Sequence, residues 1–403
     1  MRVLLTTIGS RGDVQPVVAL AVRLKELAQE VRLCAPPDFR DWAGELGIPF
    51  TPVGPVLSST GKADPAAAPP TPEQRRRMVA DSVAAQFEAV TAAAEGCDVI
   101  VAGGYLVIAA RTVAEQRGIP YFMAAYSPNF LPSPHHAPPV YPMLGEKPSD
   151  GTVGNATLWA RETQRWNTIW SDLLNAHREA AGLTPVTDVR QYLFTDKPWL
   201  AADATLGPWP GDSEVVQTGA WILPDDRPLS GELEAFLDEG EPPVYFGFGS
   251  IRAPRDLSRT MIEAARALGR RAIVLRGWAD LSLLDGEPDC LSIGEVNQQT
   301  LFRRVAAVVH HGGAGTTTAA ARAGAPQVVL PQHADQHYWA QRIGELGIGT
   351  AHAPSPHTTA SLTDALGHAL KPDVTTRARS VATTVRTDGA QTAANLLLAA
   401  RPV

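Results

Sequence analysis

Cysteine is nearly missing from this sequence. Cys34, Cys97 and Cys290 are its three thiols in 403 residues, too few and too widely spaced for a disulfide framework or a zinc site. Long apolar runs are missing as well, since no stretch reaches the ~18–20 residues that a membrane-spanning helix needs. The start, residues 1–8, is too short and turns polar too soon to read as a secretory signal. Nor is there a basic excess. Lys and Arg number 35 against 42 Asp and Glu, a net charge of −7, whereas a nucleic-acid binder shows a basic face. The expectation is a cytoplasmic chain with no nucleic-acid partner and no transmembrane segment. Lysine itself is scarce, five against thirty arginines. With abundant Ala, Gly and Pro, that imbalance reads as the codon bias of a GC-rich genome and carries no chemistry.

What is present is globular composition. Hydrophobic residues at 44% and charged residues at 19% exclude intrinsic disorder, which needs the opposite balance. At roughly 150 residues per domain, the length predicts two to three domains.

The pattern along the chain is strand, turn, helix, repeated. Residues 3–8 form a continuous apolar run stopped by Gly9-Ser10, the signature of a strand buried on both faces. Residues 16–27 then space Val17, Leu20, Ala21, Leu24 and Leu27 along one helix face. Further strands are predicted at 31–35, 98–102 and 120–125. The rhythm restarts at 243–248 and continues with strands at 271–275, 290–293, 305–310 and 327–330. Strands alternating with helices imply parallel sheets covered on both sides, so the expected fold is α/β, with two Rossmann-like domains facing across a cleft. Pro/Gly/Asp clusters at 207–212 and 223–228 suit a linker. The expected division is 1–214, 215–385, and a C-terminal helix within 386–403 that returns toward the first domain. Two proline-rich stretches, 52–72 and 127–155, interrupt the rhythm, as functional or mobile loops do. His135 and His136 lie in the second of these without ligand-type neighbours and read as solvent-facing.

Three turns carry chemistry. At 308–318 an apolar strand ends in His310-His311, followed by Gly312-Gly313-Ala314-Gly315 and a helix expected from Thr316. A helix N-terminus offers free N–H groups and partial positive charge to a phosphate, and glycines let the backbone approach it. His311 and Thr316 add side-chain donors. The Lys of a P-loop is absent, and a plain βα turn with a capping threonine has the same appearance. The second turn, 330–336, ends in Asp335-Gln336, an acceptor beside a donor–acceptor amide, suited to sugar hydroxyls; an N-capping Asp335 is the simpler alternative. The third, Gly9-Ser10-Arg11-Gly12-Asp13-Val14-Gln15-Pro16, places Asp13 near a helix start, where it serves either as a cap or as a group facing the cleft.

Together these turns resemble the UDP/TDP-sugar glycosyltransferases of the two-domain GT-B fold; the first motif is also similar to that of sterol glucosyltransferases. The segments 34–38, 195–203, 217–225 and 276–281 are similar to the enzymes that glycosylate vancomycin-type heptapeptide antibiotics. The resemblance spans essentially the whole chain. It implies Asp13 as general base, with Ser10, Ser250, His311, Gly313, Ala314, Gly315 and Thr316 around the diphosphate. It places Asp335 and Gln336 on the transferred sugar and Trp278, Val296 and Gln298 at the base. It further implies an inverting enzyme using a UDP- or TDP-sugar as co-substrate, without cofactor or metal, and a hydrophobic or peptide natural-product acceptor lodged among the proline-rich loops. Two positions depart from the larger plant-type pattern: the base-stacking Trp is Glu295 here, and the ribose-binding acid falls on Ala319. A sugar-nucleotide epimerase or hydrolase on the same fold, or a catalytically silent nucleotide-sugar binder, are the other classes to weigh.

Overall fold

A computed structural model describes residues 1–58, 71–141, 151–249, 257–278, 281–352 and 357–400. It holds two all-parallel sheets. The first comprises β1 (Arg2–Thr7), β2 (Glu30–Ala35), β3 (Phe50–Pro52), β4 (Val99–Gly103), β5 (Tyr121–Ala125), β6 (Trp199–Leu200) and β7 (Val216–Gln217), in the order β3-β2-β1-β4-β5-β6-β7. The second comprises β8 (Val244–Gly247), β9 (Ala272–Leu275), β10 (Cys290–Ile293), β11 (Ala307–His310), β12 (Gln327–Val329) and β13 (Gly349–Ala351), in the order β10-β9-β8-β11-β12-β13. In each, the chain winds outward from a central strand, first to one side and then to the other. That reversal opens a crevice at the carboxyl ends of the strands, where ligands of such sheets bind. The seventh strand of the first sheet lies just beyond residue 214, so the first sheet takes up the start of the segment expected to open the second domain.

Helix α1 (Arg11–Glu26) begins five residues before the expected start and contains Pro16 in its second turn. The reason is local. Ser10 and Asp13 form a capping box that starts the helix ahead of the proline. Helix α2 (Arg40–Glu45) is a short connection. Helix α3 (Pro72–Ala93) starts on the same logic, with Thr71 capping Gln74 and Pro72 in the first helical position. Helix α4 (Ala110–Arg117) covers the sheet, α5 (Asn155–Ala180) runs for 26 residues beside α3, and α6 (Val189–Phe194) leads into β6. The second half carries α7 (Gly231–Asp238), α8 (Leu257–Ala267), α9 (Gln298–Leu301), α10 (Ala314–Ala323), α11 (Gln336–Glu345), α12 (Thr359–Ala369), α13 (Pro372–Ala382) and α14 (Gly389–Ala399).

The two halves share apolar cores. Ala390, Ala393, Ala394 and Leu397 of α14 pack with Val14, Val17, Val18 and Leu24 of α1. From the other side, Trp339, Ala340 and Ile343 of α11 join a cluster that contains Phe130, Leu200 and Leu206. Gly207 lies against Trp339: a Cβ there would come within 2.9 Å of the indole and 3.2 Å of Pro128. Polar contacts run along the same seam. Arg342 donates from Nε to the Leu206 carbonyl at 2.9 Å, and the Arg386 amide donates to Asp203 at 2.8 Å. Fully burying one such leucine or phenylalanine contributes about 1.5–3 kcal/mol, so an interface with several of them resists opening.

Gly389 marks where α14 meets the first half most closely. A Cβ added to it would lie 2.3 Å from the Ala220 carbonyl oxygen and 2.5 Å from the Gly219 backbone. Gly389→Ala is expected to lower stability by about 1–3 kcal/mol, the usual cost of overpacking. Denaturant unfolding of the purified variant measures it, and an unchanged midpoint would mean that α14 does not dock there.

Candidate active site

The carboxyl ends of β1 and β4 hold Asp13. It is the third residue of α1, and Ser10 takes the cap position that one reading gave to Asp13. The Ser10 amide donates to Asp13 Oδ2 at 2.9 Å, and the Ser10 hydroxyl lies 3.5 Å from the same oxygen. The Asp13 backbone carbonyl accepts from Tyr126 Oη at 3.0 Å. The carboxylate occupies the space where residue 9 would carry a side chain. A Cβ on Gly9 would sit 2.1 Å from Oδ2, so only glycine, here at φ +143°, fits. Ser10, expected beside the phosphate, is committed to this box. Burial and the facing charge of Asp335 raise the Asp13 carboxyl to about 7.

Asp335 comes from the other half. It precedes α11 at the cap position but makes no side-chain cap; instead Oδ2 accepts from the Trp339 indole at 2.9 Å. Burial raises it to about 6. Gln336 is buried, and its Oε1 accepts from the Gln332 and His333 amides at 2.8 and 3.2 Å. That closes the turn, and among the described residues the amide nitrogen makes no hydrogen bond. Sequence reasoning brought the two carboxylates to one cleft, and they do lie in each other's field.

Helix α10 starts at Ala314, two residues before the expected start, and its cap is Gly313, which has no side chain to satisfy the first amides. The N–H groups of Ala314, Gly315 and Thr316 therefore have no partner within the helix. His310 and His311 divide the work on that turn. His310 is fully buried; its Nε2 pairs with Gln327 Oε1 at 2.9 Å and its Nδ1 accepts from the Gly312 amide at 3.0 Å. It is structural. His311 lies over Gly313, and its buried Nδ1 has no hydrogen-bond partner. Burial and the nearby His310 and His333 lower its pKa to about 3, so the imidazole is neutral near neutral pH.

The remaining groups line the same rim. The Trp278 amide donates to the Gly249 carbonyl at 3.0 Å, tying the end of β9 to the end of β8. Val296 and Gln298 follow β10, and Gln298 reaches the buried Tyr245 hydroxyl at 3.5 Å. Ser250 lies outside the described residues. In sheet order, the strand ends present Val296, Trp278, Gly249, His311 and Asp335 in turn. Four strand spacings span about 19 Å, a shelf for an elongated ligand. Among the described residues no group of three or more His, Cys, Asp or Glu is placed to hold a metal ion, and no helix is long and apolar enough to cross a membrane.

Residues 3–133 match the Glycosyltransferase family 28 N-terminal domain. Residues 264–394 match the C-terminal domain described as Erythromycin biosynthesis protein CIII-like. The chain is 55% identical over 403 residues to Glycosyltransferase GtfE of Amycolatopsis orientalis, covering 99% of this chain and 98% of that one. It is 54% identical over 401 residues to the Vancomycin aglycone glucosyltransferase of the same organism, covering 99% and 97%. The solved glycotransferase of kitacinnamycin shares the fold, with a TM-score of 0.74 at 19% identity, covering 100% of this chain and 99% of that one. The chain belongs to the glycosyltransferase family of these two Amycolatopsis enzymes. Its fold is GT-B, and it is a nucleotide-sugar-dependent glycosyltransferase.

Several features of this glycosyltransferase's cleft escaped sequence reasoning. Glu295, read only as a missing Trp, pairs with Arg11 at 2.6 Å across the two halves, and the Arg11 guanidinium lies 4.7 Å over the Trp42 ring. His136 is not solvent-facing. It is half-buried, with Trp159, Trp209 and Tyr338 around its ring at 5.9–6.2 Å. A small open cavity of about 160 Å³ lies among Ile8, Met78, Val79, Ser82, Gln86, Leu106 and Trp170, where α3 and α5 meet the end of β1. Residues 59–70 and 142–150 of the proline-rich loops lie outside the described residues. A pattern of partly exposed Met and Trp on two amphipathic helices was the available signal, and core packing has the same spacing.

The raised Asp13 pKa makes a stability prediction. Below about 7 the folded protein keeps a proton that an unfolded aspartate releases near 3.8. The native state then binds more protons, and stability falls as pH rises through that window. Asp13→Asn removes the penalty while an amide oxygen still accepts from Ser10. Its stability gain over wild type should be larger at pH 8 than at pH 5 by on the order of 2–3 kcal/mol. Denaturant unfolding at both pH values checks this, and equal differences would show that Asp13 titrates normally.

Proposed function

We propose that this glycosyltransferase inverts the anomeric centre as it moves a glucose-like sugar from UDP or TDP to a hydroxyl of a glycopeptide-type aglycone. The supporting observation is Asp13: a carboxylate set into the cleft by its capping box, with a pKa raised to about 7 and the second half's Asp335 opposite. A base poised near neutral pH removes protons efficiently. Asp13 takes the proton of the acceptor hydroxyl. The oxygen attacks the anomeric carbon from the face opposite the nucleotide, and the nucleoside diphosphate leaves with the bond electrons. The free amides of Ala314, Gly315 and Thr316, with the α10 dipole, stabilise the negative charge that grows on the diphosphate. His311 adds one neutral N–H at first. Once the diphosphate is bound its anionic oxygens favour the imidazolium. No metal enters this reading.

Asp335 and the side-chain amide of Gln336 read the sugar hydroxyls. A site built on a buried acceptor disfavours a deoxygenated donor, because the carboxylate is then left unpaired. Val296, Gln298 and Trp278 would line the base end of the shelf. The relative named as a vancomycin aglycone glucosyltransferase supports both the glucose and the glycopeptide part. The first half, about 1–214, is read as the acceptor domain, 215–385 as the donor domain and 386–403 as the returning helix, with the enzyme working in the cytoplasm.

The test is a matrix of UDP- and TDP-sugars against glycopeptide aglycones and sterols, with products read by mass spectrometry for wild type and Asp13→Asn. Wild type should give a glucosylated glycopeptide as its main product. The variant should fold and bind nucleoside diphosphate while losing about 10²–10⁴ in turnover. Near-normal turnover by the variant removes Asp13 from the chemistry; preferential transfer of a deoxysugar overturns the role given to Asp335.

A further inference from the structure

The turn that carries Asp335 is not held by its own domain alone. Ala334, just before it, sits at φ +54°, a left-handed conformation that non-glycine residues adopt only when their surroundings impose it. Those surroundings come from the first half. The Ala334 amide donates to the Val140 carbonyl at 2.5 Å, and the Val140 amide returns a longer bond to the Ala334 carbonyl at 3.4 Å, an isolated antiparallel bridge between the two halves. Four residues earlier on the same loop, His136 is clamped. Its Nε2 pairs with the Leu131 carbonyl at 2.9 Å, and its backbone carbonyl accepts from the Trp159 indole at 3.0 Å. Its ring meets the edge of Tyr338, three residues beyond Asp335, at 6.1 Å. On the far side of Asp335, Trp339 holds the carboxylate and is itself wedged at Gly207, next to Pro128 at the start of the loop.

We propose that the first-half loop 127–141 is a working part of the sugar-binding site, with His136 and Val140 acting as positioning residues that hold Ala334 left-handed and so aim Asp335. This rests on the reading of Asp335 as the sugar's partner. Neither His136 nor Val140 belongs to the candidate site itself; both act through the turn. The loop starts at the carboxyl end of β5, on the acceptor half. A large acceptor that presses on it therefore changes the grip on the donor sugar, and the two substrates become coupled without touching.

The design separates sugar binding from nucleotide binding. His136→Ala loosens the clamp, His136→Phe keeps its ring contacts, and Ala334→Gly lets the turn hold its conformation unaided. For His136→Ala, the KM for nucleotide sugar should rise about five- to tenfold, the scale of one released left-handed residue. The Kd for free UDP or TDP by calorimetry should stay within about twofold, since the diphosphate end at α10 is untouched. His136→Phe, which keeps the ring contacts but not the bond to Leu131, should recover part of the wild-type KM, and adding Ala334→Gly to His136→Ala should recover most of it. An unchanged donor KM in His136→Ala overturns the proposal. So does an equal loss for free nucleoside diphosphate, which is general damage, and so does a failure of Ala334→Gly to rescue. Asp335→Ala is assayed alongside. If it leaves the donor KM unchanged, the reading of Asp335 has failed; if it raises the KM while His136→Ala does not, only the coupling has failed.

Discussion

Two carboxylates from different sheets, Asp13 and Asp335, share one low-dielectric space, and most of this structure serves to keep them there. Burial raises both, and the charge of Asp335 adds to the rise of Asp13, so Asp13 is held at about 7 and Asp335 at about 6. An arrangement that costs free energy persists only when the surrounding fold over-determines it. Here the capping box of Ser10, the vacant Cβ position of Gly9 and the Tyr126 hydroxyl fix Asp13. The Trp339 indole and the Val140 bridge fix Asp335 from the other side.

The interface between the halves follows from the same constraint. If α11 were free to tilt, the distance between the carboxylates would vary and so would the pKa of each. Packing α11 against Leu206 and Phe130, and α14 against α1, supplies the apolar area that opposes such tilting. At the other end of the cleft, the Arg11–Glu295 pair is exposed, with side chains 32% and 70% accessible. Pairs of that kind contribute less than about 1 kcal/mol. The β10 end of the cleft is thus tied weakly and the Asp335 end strongly, which suits the proposed arrangement with the nucleotide base at one end and chemistry at the other.

Much of this was legible in the sequence, for physical reasons that differ by element. β1, β4, β8 and β11 are buried on both faces, so they appear as unbroken apolar runs. The glycine turns after β1 and β11 are visible because backbone must approach another group there. β6 and β7 have two residues each and β13 has three, too few to carry a period. The early start of α1 was missed because the reading placed Pro16 in the first turn, whereas the capping box starts the helix five residues before it. His136 was misread because its partners, Trp159, Trp209 and Tyr338, are far away in sequence and each looks like ordinary core. The pairing of Glu295 with Arg11 spans the whole domain seam, and no local pattern announces a contact at that separation.

The central claim is that burial and, added to it, the charge of Asp335 across the cleft raise the Asp13 carboxyl. The pH dependence of kcat/KM reports groups of the free enzyme, so it reads this coupling directly when wild type is compared with Asp335→Asn. Wild type should lose activity as pH falls through about 7, where Asp13 takes up a proton. In Asp335→Asn, whatever its absolute rate, the limb should move to lower pH, because one of the two causes that raise Asp13 has gone. A limb that stays in place in the variant, or a wild-type limb in the ordinary carboxylate range near 4, would contradict the account.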